Sequence, residues 1–172
     1  MKLAFIGTHR TGKSTLVHSL IAKLKKQKYD VGFIGELTDE CPFSINEKTT
    51  PEAQEWLLFS KHLKELELKN KYDILICDRS TLDNYVYYFN AFGKDKILEE
   101  FVKEKSKDYD FLFKVPITHG NLTKNKVAST NPEFQKNIEK NFNYLLKELK
   151  IPFQEYENLD KVISLIKNKT SY

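Results

Sequence analysis

Arginine is scarce in this chain. Of the 28 lysine and arginine residues, only Arg10 and Arg79 are arginine, and the formal net charge is only +4. A charge so small and so mixed in sign gives no indication of a strongly basic nucleic-acid surface. The planar fork of arginine can hold phosphate oxygens in a bidentate way that lysine cannot copy. We therefore regard the two arginines as candidates for phosphate contacts.

Cysteines and long apolar runs are also few. Cys41 and Cys77 lie far apart and form no C-x-x-C pair, so a disulfide framework and a zinc site are not expected. No apolar stretch approaches the roughly 20 residues that cross a bilayer. The sequence starts directly on a predicted strand, without the features of a signal peptide. We expect a cytoplasmic protein with no membrane partner.

A glycine-rich loop follows the first apolar run. Residues 7–15 read G-T-H-R-T-G-K-S-T and match the phosphate-loop pattern G-x-x-x-x-G-K-[ST]. Its glycines let backbone N–H groups surround phosphate, and the following helix adds its positive N-terminal end. Lys13 is expected to reach the β- and γ-phosphates, and the Ser14 hydroxyl to bind Mg²⁺. The predicted nucleotide-binding residues are Gly7, Thr8, His9, Arg10, Thr11, Gly12, Lys13, Ser14 and Thr15. We expect His9 to contribute through its backbone alone.

Strands and helices are predicted to alternate along the chain. Apolar runs predict strands at 3–6, 31–34, 74–78, 111–115 and 153–156, and the segments between them predict helices at 13–26, 51–71, 81–92, 96–105, 132–149 and 159–167. Such alternation favours right-handed crossovers and a parallel sheet with helices on both faces. The predicted fold is α/β, a three-layer P-loop NTPase fold with a five-stranded parallel sheet. We expect one domain, 1–172, with a short lid at about 117–131.

The second of these helices has a predicted apolar surface of its own. The residues expected to supply it are Trp56, Leu57, Leu63, Leu66 and Leu68. Their spacing is helical. We expect Trp56 to belong to the core rather than to contact a ligand.

Acidic residues end two of the predicted strands, where ligands bind in open parallel sheets. Asp78 closes an apolar strand and is expected to share Mg²⁺ with Ser14; alternatively it is only a polar strand terminus. Glu36 follows the second strand, facing the same crevice as the phosphates. It is predicted to take the proton of an acceptor hydroxyl, unless it is simply a solvated loop acid.

The residue after Asp78 separates classes of nucleotide-binding protein. Motor-type and AAA-type ATPases usually place a water-activating glutamate there, whereas this chain has Arg79, a cation suited to a second or a moving phosphoryl group. A signalling GTPase would need D-x-x-G and N-K-x-D motifs. Asn125-Lys126 is followed by Val127-Ala128, so the guanine-reading aspartate is missing. The pattern favours a kinase in which Lys13, Arg79 and Glu36 are the catalytic residues.

Several stretches of the chain resemble known nucleotide-binding enzymes. They are Gly7-Thr8-His9-Arg10-Thr11-Gly12-Lys13-Ser14, Glu36, Glu40-Cys41-Pro42-Phe43, Ile45-Asn46-Glu47, Glu52-Ala53-Gln54-Glu55-Trp56, and Asp78-Arg79-Ser80-Thr81-Leu82-Asp83-Asn84 with Tyr87. Together they resemble the P-loop nucleoside and nucleotide kinases, thymidylate kinase among them. The closer resemblance is to nicotinamide riboside kinase-like ATPase domains of AAA type. It extends from Lys2 to about Leu149 and implies ATP and Mg²⁺ as cofactors, with a small-molecule phosphoryl acceptor.

The chain departs from that family at two places. Asp39 lies where the family often carries an arginine, and the lid reads K-N-K-V-A at 124–128 without any arginine. Stabilisation of the transferred phosphoryl group is then expected from Lys126, Arg10 or Arg79. Lysine would act there as a point charge with looser geometry. The alternative for Lys124 and Lys126 is a solvated lysine loop.

Further acceptor contacts are predicted on the helix after Arg79. Asp83 is expected to bind a ribose or to orient Arg79, and support of the helix dipole is an equal alternative. Tyr85, Tyr87 and Tyr88 share this helix, where some must be core. Tyr87 is the candidate for substrate contact, so the predicted substrate-binding set is Glu36, Arg79, Asp83, Tyr87 and Lys126.

Three functions are compatible with these residues. The first is transfer of the γ-phosphoryl group of Mg·ATP to a nucleoside, nucleotide or related small molecule. The second is a regulatory P-loop protein with slow hydrolysis that acts through a protein partner, which the arginine-free lid favours. The third, a polynucleotide 5′-hydroxyl kinase, is not favoured, because it needs a basic groove. The oligomeric state is open, with a homodimer as one arrangement.

Overall fold

A computed structural model describes residues 1–117 and 129–170 and contains five strands that alternate with helices. The strands are β1 (Lys2–Ile6), β2 (Val31–Ile34), β3 (Ile74–Asp78), β4 (Phe111–Lys114) and β5 (Gln154–Glu155). The helices are α1 (Lys13–Lys26), α2 (Pro51–Leu68), α3 (Thr81–Phe92), α4 (Lys96–Ser106), α5 (Pro132–Glu148) and α6 (Leu159–Thr170). Two short 3₁₀ turns, Thr38–Glu40 and Asn46–Lys48, lie between β2 and α2.

The five strands form one sheet in the order β2-β3-β1-β4-β5, and all pairs are parallel. Phe5 of β1 pairs with Asp78 of β3, and Ile6 pairs with Lys114 of β4. The carboxyl ends of the central strands therefore meet at one edge of the sheet, where ligands bind in folds of this kind. The predicted five-stranded parallel fold is confirmed.

Each face of the sheet has its own apolar core, because side chains alternate between the faces along a strand. In β1, Ala4 and Ile6 pack with residues of α3, α4 and α5. Leu3 and Phe5 point to the other face and pack with α1 and α6. This gives the predicted three layers, with both faces of the sheet covered by helices.

The apolar surface predicted for α2 is correct in part. Leu57 is buried and Leu68 packs against a core, as predicted. Leu63 and Leu66, however, are 57% and 50% exposed, and Trp56 is only half-buried and lies outside both cores. Besides Leu57, the helix buries Ala53, Gln54, Leu58, Lys61 and Glu65. It also ends at Leu68 rather than near Lys71. Position relative to the sheet, rather than hydrophobicity alone, determines which side of this helix is buried.

The remaining differences from the predicted elements are small. The strand β5 is shorter than predicted and α6 continues to Thr170. Among the helices described here, none combines the length and apolarity needed to span a bilayer.

Candidate active site

A cavity of about 320 Å³ opens at the carboxyl ends of the central strands. Its lining consists of residues 9–15, Glu36, Thr38, Asp39, Ile45, Asn46, Gln54, Leu57, Arg79, Asp83, Asn84 and Tyr87. The predicted residues Gly7, Thr8 and Asp78 are buried beside them. The structure thus brings the predicted nucleotide-binding and acceptor-side residues of its described part to one cavity.

The phosphate loop depends on glycine at both of its fixed positions. Gly7 has a φ of 134°, and a Cβ there would lie 2.8 Å from the backbone oxygen of Val115. Gly12, with a φ of 81°, precedes the first residue of α1, and no side chain in the described ranges caps that helix. The first N–H groups of α1 are therefore available to an anion.

Lys13 is almost fully buried within the loop that it terminates. Its ammonium donates to the Thr8 carbonyl at 2.5 Å and to the Thr11 hydroxyl at 3.1 Å. Burial, and next the charge of Arg79, lowers the pKa of Lys13 to about 8. The ammonium is thus held inside the phosphate loop in a poorly solvated position, where a phosphate oxygen would be a better acceptor than a carbonyl.

Ser14 and Asp78, the predicted metal ligands, are hydrogen-bonded to each other. The Ser14 hydroxyl donates to Asp78 Oδ2 at 2.6 Å, and Asp78 Oδ1 is buried without a hydrogen-bond partner among the residues described. One carboxylate and one hydroxyl suit Mg²⁺, which usually takes few protein ligands together with phosphate and water. No cluster of three or more His, Cys, Asp or Glu side chains suited to a metal occurs in the described ranges.

Arg79 forms an ion-paired cluster with two carboxylates of the cavity lining, Glu36 and Asp83. Its Nε lies 2.8 Å from Glu36 Oε1, and its Nη1 lies 3.7 Å from Asp83 Oδ1. The Arg79 side chain is about 10% exposed and that of Glu36 about 31%. Glu36 is therefore the member of the pair that a ligand can reach more easily.

The charged groups of this cluster shift one another's pKa values. Burial opposes ionisation of Glu36, but Arg79 and Lys13 outweigh it and lower the pKa of this carboxyl below its ordinary value. For Arg79, burial is likewise outweighed, chiefly by Glu36, and the pKa is raised. Both groups are charged at neutral pH, so the site contains a carboxylate and a guanidinium side by side.

Asp83 is fully buried, and both of its carboxyl oxygens accept hydrogen bonds. It accepts hydrogen bonds from the Gly7 N–H (3.1 Å), the Ser80 N–H (2.8 Å) and the Ser80 hydroxyl (2.9 Å), forming a capping box at the start of α3. Burial raises the pKa of its carboxyl. Both alternatives, orienting Arg79 and supporting the helix terminus, are present in this geometry.

His9, expected to contribute through its backbone alone, also has a side chain that is hydrogen-bonded within the protein. Its backbone N–H donates to the Tyr87 hydroxyl (3.2 Å), and its Nδ1 lies 2.9 Å from the same oxygen. Since the oxygen accepts the backbone proton, its own proton can be donated to Nδ1, leaving the imidazole proton on Nε2. Burial, followed by Arg79, lowers the pKa of His9 to about 4, so the ring is neutral. Tyr87 therefore ties the phosphate loop to α3.

The last residues of the predicted lid and the first turn of α5 contact the phosphate loop. Arg10 Nη1 donates to the Ser129 carbonyl at 3.4 Å, and the Gln135 side-chain amide donates to the His9 carbonyl at 2.7 Å. The Ser129 hydroxyl in turn donates to Glu47, between β2 and α2. Lys126, like Lys124, lies outside the described residues.

Sequence reasoning missed two buried polar residues of α2. Gln54 lines the cavity; its Nε2 donates to the Thr49 hydroxyl at 2.8 Å, and its Oε1 is buried without a partner in the described part of the chain. Lys61 is also buried and bonds to backbone carbonyls. Both lie at helical spacing from Leu57 and Leu58, so polar residues in phase with the apolar positions are the signal that could have found them.

Comparison with known proteins supports the predicted family and fold. A family model described as an AAA domain matches residues 2–160. A deoxyadenosine kinase from M. mycoides, solved with dCMP and a flexible dCDP, is 19% identical, with a TM-score of 0.65 and 99% of each chain covered. A structure of that enzyme with dATP is 18% identical, with a TM-score of 0.58 and full coverage.

A thymidylate kinase from Ehrlichia chaffeensis is 16% identical, with a TM-score of 0.70, and the match covers 96% of this chain and 98% of that one. No curated protein sequence matches significantly. At these identities the structural similarity concerns the fold. It confirms the resemblance to the P-loop nucleoside and nucleotide kinases at that level.

Proposed function

The chain belongs to the AAA domain family, and we propose that it is an ATP-dependent phosphotransferase. It moves the γ-phosphoryl group of Mg·ATP to a nucleoside, a nucleotide or a related small molecule. The observation that carries this proposal is the buried Arg79, which follows Asp78, pairs with Glu36 at 2.8 Å and donates to the Gly7 carbonyl of the phosphate loop at 3.4 Å. An enzyme that activates water would be expected to place a carboxylate at position 79.

The donor half of the proposed site is the phosphate loop. Its N–H groups and the start of α1 bind the triphosphate, and Lys13 binds the β- and γ-phosphate oxygens. Ser14 and Asp78 would hold Mg²⁺, which supplies charge neutralisation on the phosphates when it is bound. The unpartnered Asp78 Oδ1 supports this assignment.

The acceptor half is formed by Glu36, Arg79 and Gln54. Glu36 is ionised and partly accessible, so it can hydrogen-bond an acceptor hydroxyl and receive its proton. The new bond from the acceptor oxygen to the γ-phosphorus forms as the bond to the β,γ-bridging oxygen breaks, and ADP leaves. Arg79 stabilises negative charge on the transferring group. The unpartnered Gln54 Oε1 offers a hydrogen-bond acceptor to the bound molecule, because an amide oxygen buried without a partner is otherwise costly.

The nature of the acceptor is supported by two observations. The cavity, about 320 Å³ in volume, lies within the usual range for small-molecule sites. The similar structures are, by name, a deoxyadenosine kinase and a thymidylate kinase, both of which act on nucleosides or nucleotides. A nucleoside-type acceptor fits both the volume and the hydrogen-bonding groups.

The test is transfer of label from γ-labelled ATP to a panel of acceptors. The panel contains ribonucleosides, deoxynucleosides, their monophosphates, nicotinamide riboside and a 5′-hydroxyl oligonucleotide, with Lys13→Ala as the control that removes the phosphate contact. We expect label on one small-molecule class and none with the variant. Label on the oligonucleotide alone would favour a polynucleotide kinase. Binding of ATP with no labelled acceptor would favour a regulatory protein and contradict the proposal.

A further inference from the structure

A buried lysine of α2 reaches the ends of two strands. Lys61 is 2% exposed, and its ammonium donates to the backbone carbonyls of Asp78 (2.7 Å), Gly35 (3.3 Å) and Ile34 (3.4 Å). An ammonium has three N–H donors, and three carbonyl oxygens surround this one. Lysine is rarely buried to this extent unless its charge is paired.

The partners of Lys61 are unusual for a buried cation. Among the residues described, it makes no ion pair with a carboxylate, although Glu65 follows one turn later on the same helix. Glu65 is instead paired with Lys2 at 2.9 Å and accepts a hydrogen bond from Tyr109. The ammonium of Lys61 is therefore held by backbone dipoles alone, as a monovalent cation would be held by a ring of carbonyls.

The three carbonyls have one feature in common. Ile34 and Gly35 directly precede Glu36, and Asp78 directly precedes Arg79. The ammonium therefore joins the end of β2 to the end of β3 immediately before the two residues that form the acceptor-side ion pair. Arg79 has a φ of 69°, a conformation that an arginine adopts only when its surroundings enforce it.

We propose that Lys61 is a positioning residue, an internal cation that holds the ends of β2 and β3 together so that Glu36 and Arg79 meet at the acceptor. It touches neither substrate nor phosphate. This inference rests on the proposed function for its catalytic consequence, but the structural effect on the two strand ends is independent of that function. Removing the ammonium leaves three buried carbonyls without their donor and lets the strand ends separate.

The catalytic test compares Lys61→Ala and Lys61→Met with wild type in the transfer assay. A displacement of about 1 Å can cost on the order of 100-fold in rate, so we expect kcat to fall by about 10- to 100-fold. KM for ATP should change less than about threefold, because the phosphate loop is intact. Lys64→Met is the matched control: Lys64 lies one turn further along α2 and pairs with Glu40 at the surface, so kcat should be unchanged.

Chemical rescue separates positioning from general destabilisation. Lys61→Ala leaves space for n-propylamine, whose ammonium can bond to the same carbonyls, and we expect kcat to rise at least about fivefold with the amine. The uncharged 1-propanol, with one donor, should not restore it. If the substitution instead damaged the fold elsewhere, the amine would not raise kcat. No rise in kcat with the amine, or an equal rise with both additives, would contradict the proposal.

Amide hydrogen exchange tests the inference without any catalysis. In Lys61→Met, we expect faster exchange in the peptides that contain Glu36 and Arg79, unchanged exchange in the phosphate loop, and restoration by propylamine in Lys61→Ala. Unchanged exchange at the two strand ends would overturn the inference, whatever the activity. If wild type transfers no phosphoryl group while exchange responds as expected, the proposed function fails and the positioning role of Lys61 stands.

Discussion

Both arginines of the chain have backbone conformations that arginine rarely adopts. Arg10 has a φ of 59° and Arg79 a φ of 69°. Left-handed backbone at a non-glycine residue costs on the order of 1 kcal/mol and occurs mostly where the surroundings determine it. The backbone is therefore locally strained at both arginines of the chain, and both arginines line the same cavity.

At the scale of single residues, the pKa of Lys13 predicts how ATP affinity depends on pH. Burial and Arg79 lower this pKa to about 8, whereas phosphate binding requires the charged form. Above pH 8 the free protein loses the proton, so the Kd for ATP should rise, by up to about tenfold per pH unit. Titrations of ATP binding from about pH 7.5 to about 9.5 measure this.

Lys13→Arg supplies the control for that titration. A guanidinium stays protonated throughout the range, so the variant should bind ATP more weakly but with little dependence on pH. Equal slopes for wild type and variant would show that another group causes the effect.

The hydrogen bonds of Tyr87 predict that removing its hydroxyl affects ATP binding, whereas removing the hydroxyl of Tyr85 on the same helix does not. Tyr87→Phe leaves the buried His9 N–H without its acceptor, which costs about 1–3 kcal/mol. We expect Tm to fall by several degrees and KM for ATP to rise about three- to tenfold. Tyr85→Phe is the matched control, because its hydroxyl bonds to Asp95 and Glu99 away from the cavity. It should lower Tm without changing KM for ATP, and an equal effect on KM would contradict the assignment.

Sequence reasoning reached some of these residues and missed others for physical reasons. The loop around Lys13 and the meeting of Ser14 with Asp78 follow from a motif that carries its own geometry. The side-chain role of His9 depends on Tyr87, 78 positions away. No local pattern indicates such a partner. The orphaned oxygen of Gln54 likewise becomes visible only once the fold has enclosed it.

At the scale of elements, the first turn of α3 connects helix capping to the site. Asp83 accepts from Ser80 and from Gly7, so one carboxylate supports both the helix and the phosphate loop. Asp83→Asn turns part of that acceptor into a donor that faces other donors. We expect the free energy of unfolding to fall by about 1–3 kcal/mol, measured by urea denaturation, together with weaker ATP binding.

Ser80→Ala is the comparison for this element. It removes the hydroxyl that bonds to Asp83 but keeps the carboxylate on Gly7, so it should cost about 0.5–2 kcal/mol of stability. ATP affinity should change little. If both variants weaken ATP binding equally, the link between Asp83 and Gly7 has no part in it.

The helix α2 shows why an element can be predicted correctly and its face incorrectly. Pro51 at its start and its helical spacing made the helix itself predictable. Leu63 and Leu66 suggested an apolar face, yet the buried face includes Gln54, Lys61 and Glu65. Binary pattern fails where polar residues are buried: Gln54 lines the cavity, Lys61 bonds to the strand ends beside it, and Glu65 pairs with Lys2 at the start of β1.

At the scale of the whole molecule, the alternation of strands and helices was enough to predict the parallel sheet and its layers. The position of the cavity at the carboxyl ends follows from the same topology. The substrate is not predictable in this way, because the sequences of the two segments expected to select it, 37–50 and 117–131, have no regular apolar pattern. Part of the second lies outside the described residues.

Ligand binding should stabilise the whole chain through the phosphate loop. At about 100 times its Kd, Mg·ATP should add about 2.7 kcal/mol to the free energy of unfolding, a rise in Tm of about 5–10 °C for a chain of this size. Thermal scans measure the shift, which should be absent for Lys13→Ala and reduced by EDTA. An undiminished shift in EDTA would contradict the assignment of Ser14 and Asp78 as metal ligands.

The central claim, that Arg79 and Glu36 direct the γ-phosphoryl group to an acceptor, is tested by one single-turnover measurement. Enzyme in excess over γ-labelled ATP is mixed with the acceptor pool, and label is partitioned between acceptor and inorganic phosphate for wild type, Arg79→Gln and Glu36→Gln. We predict transfer mainly to the acceptor in wild type, and a loss of about 10³-fold in that transfer for Arg79→Gln with ATP still bound. Release of label only as inorganic phosphate, at the same rate in all three proteins, would contradict the account.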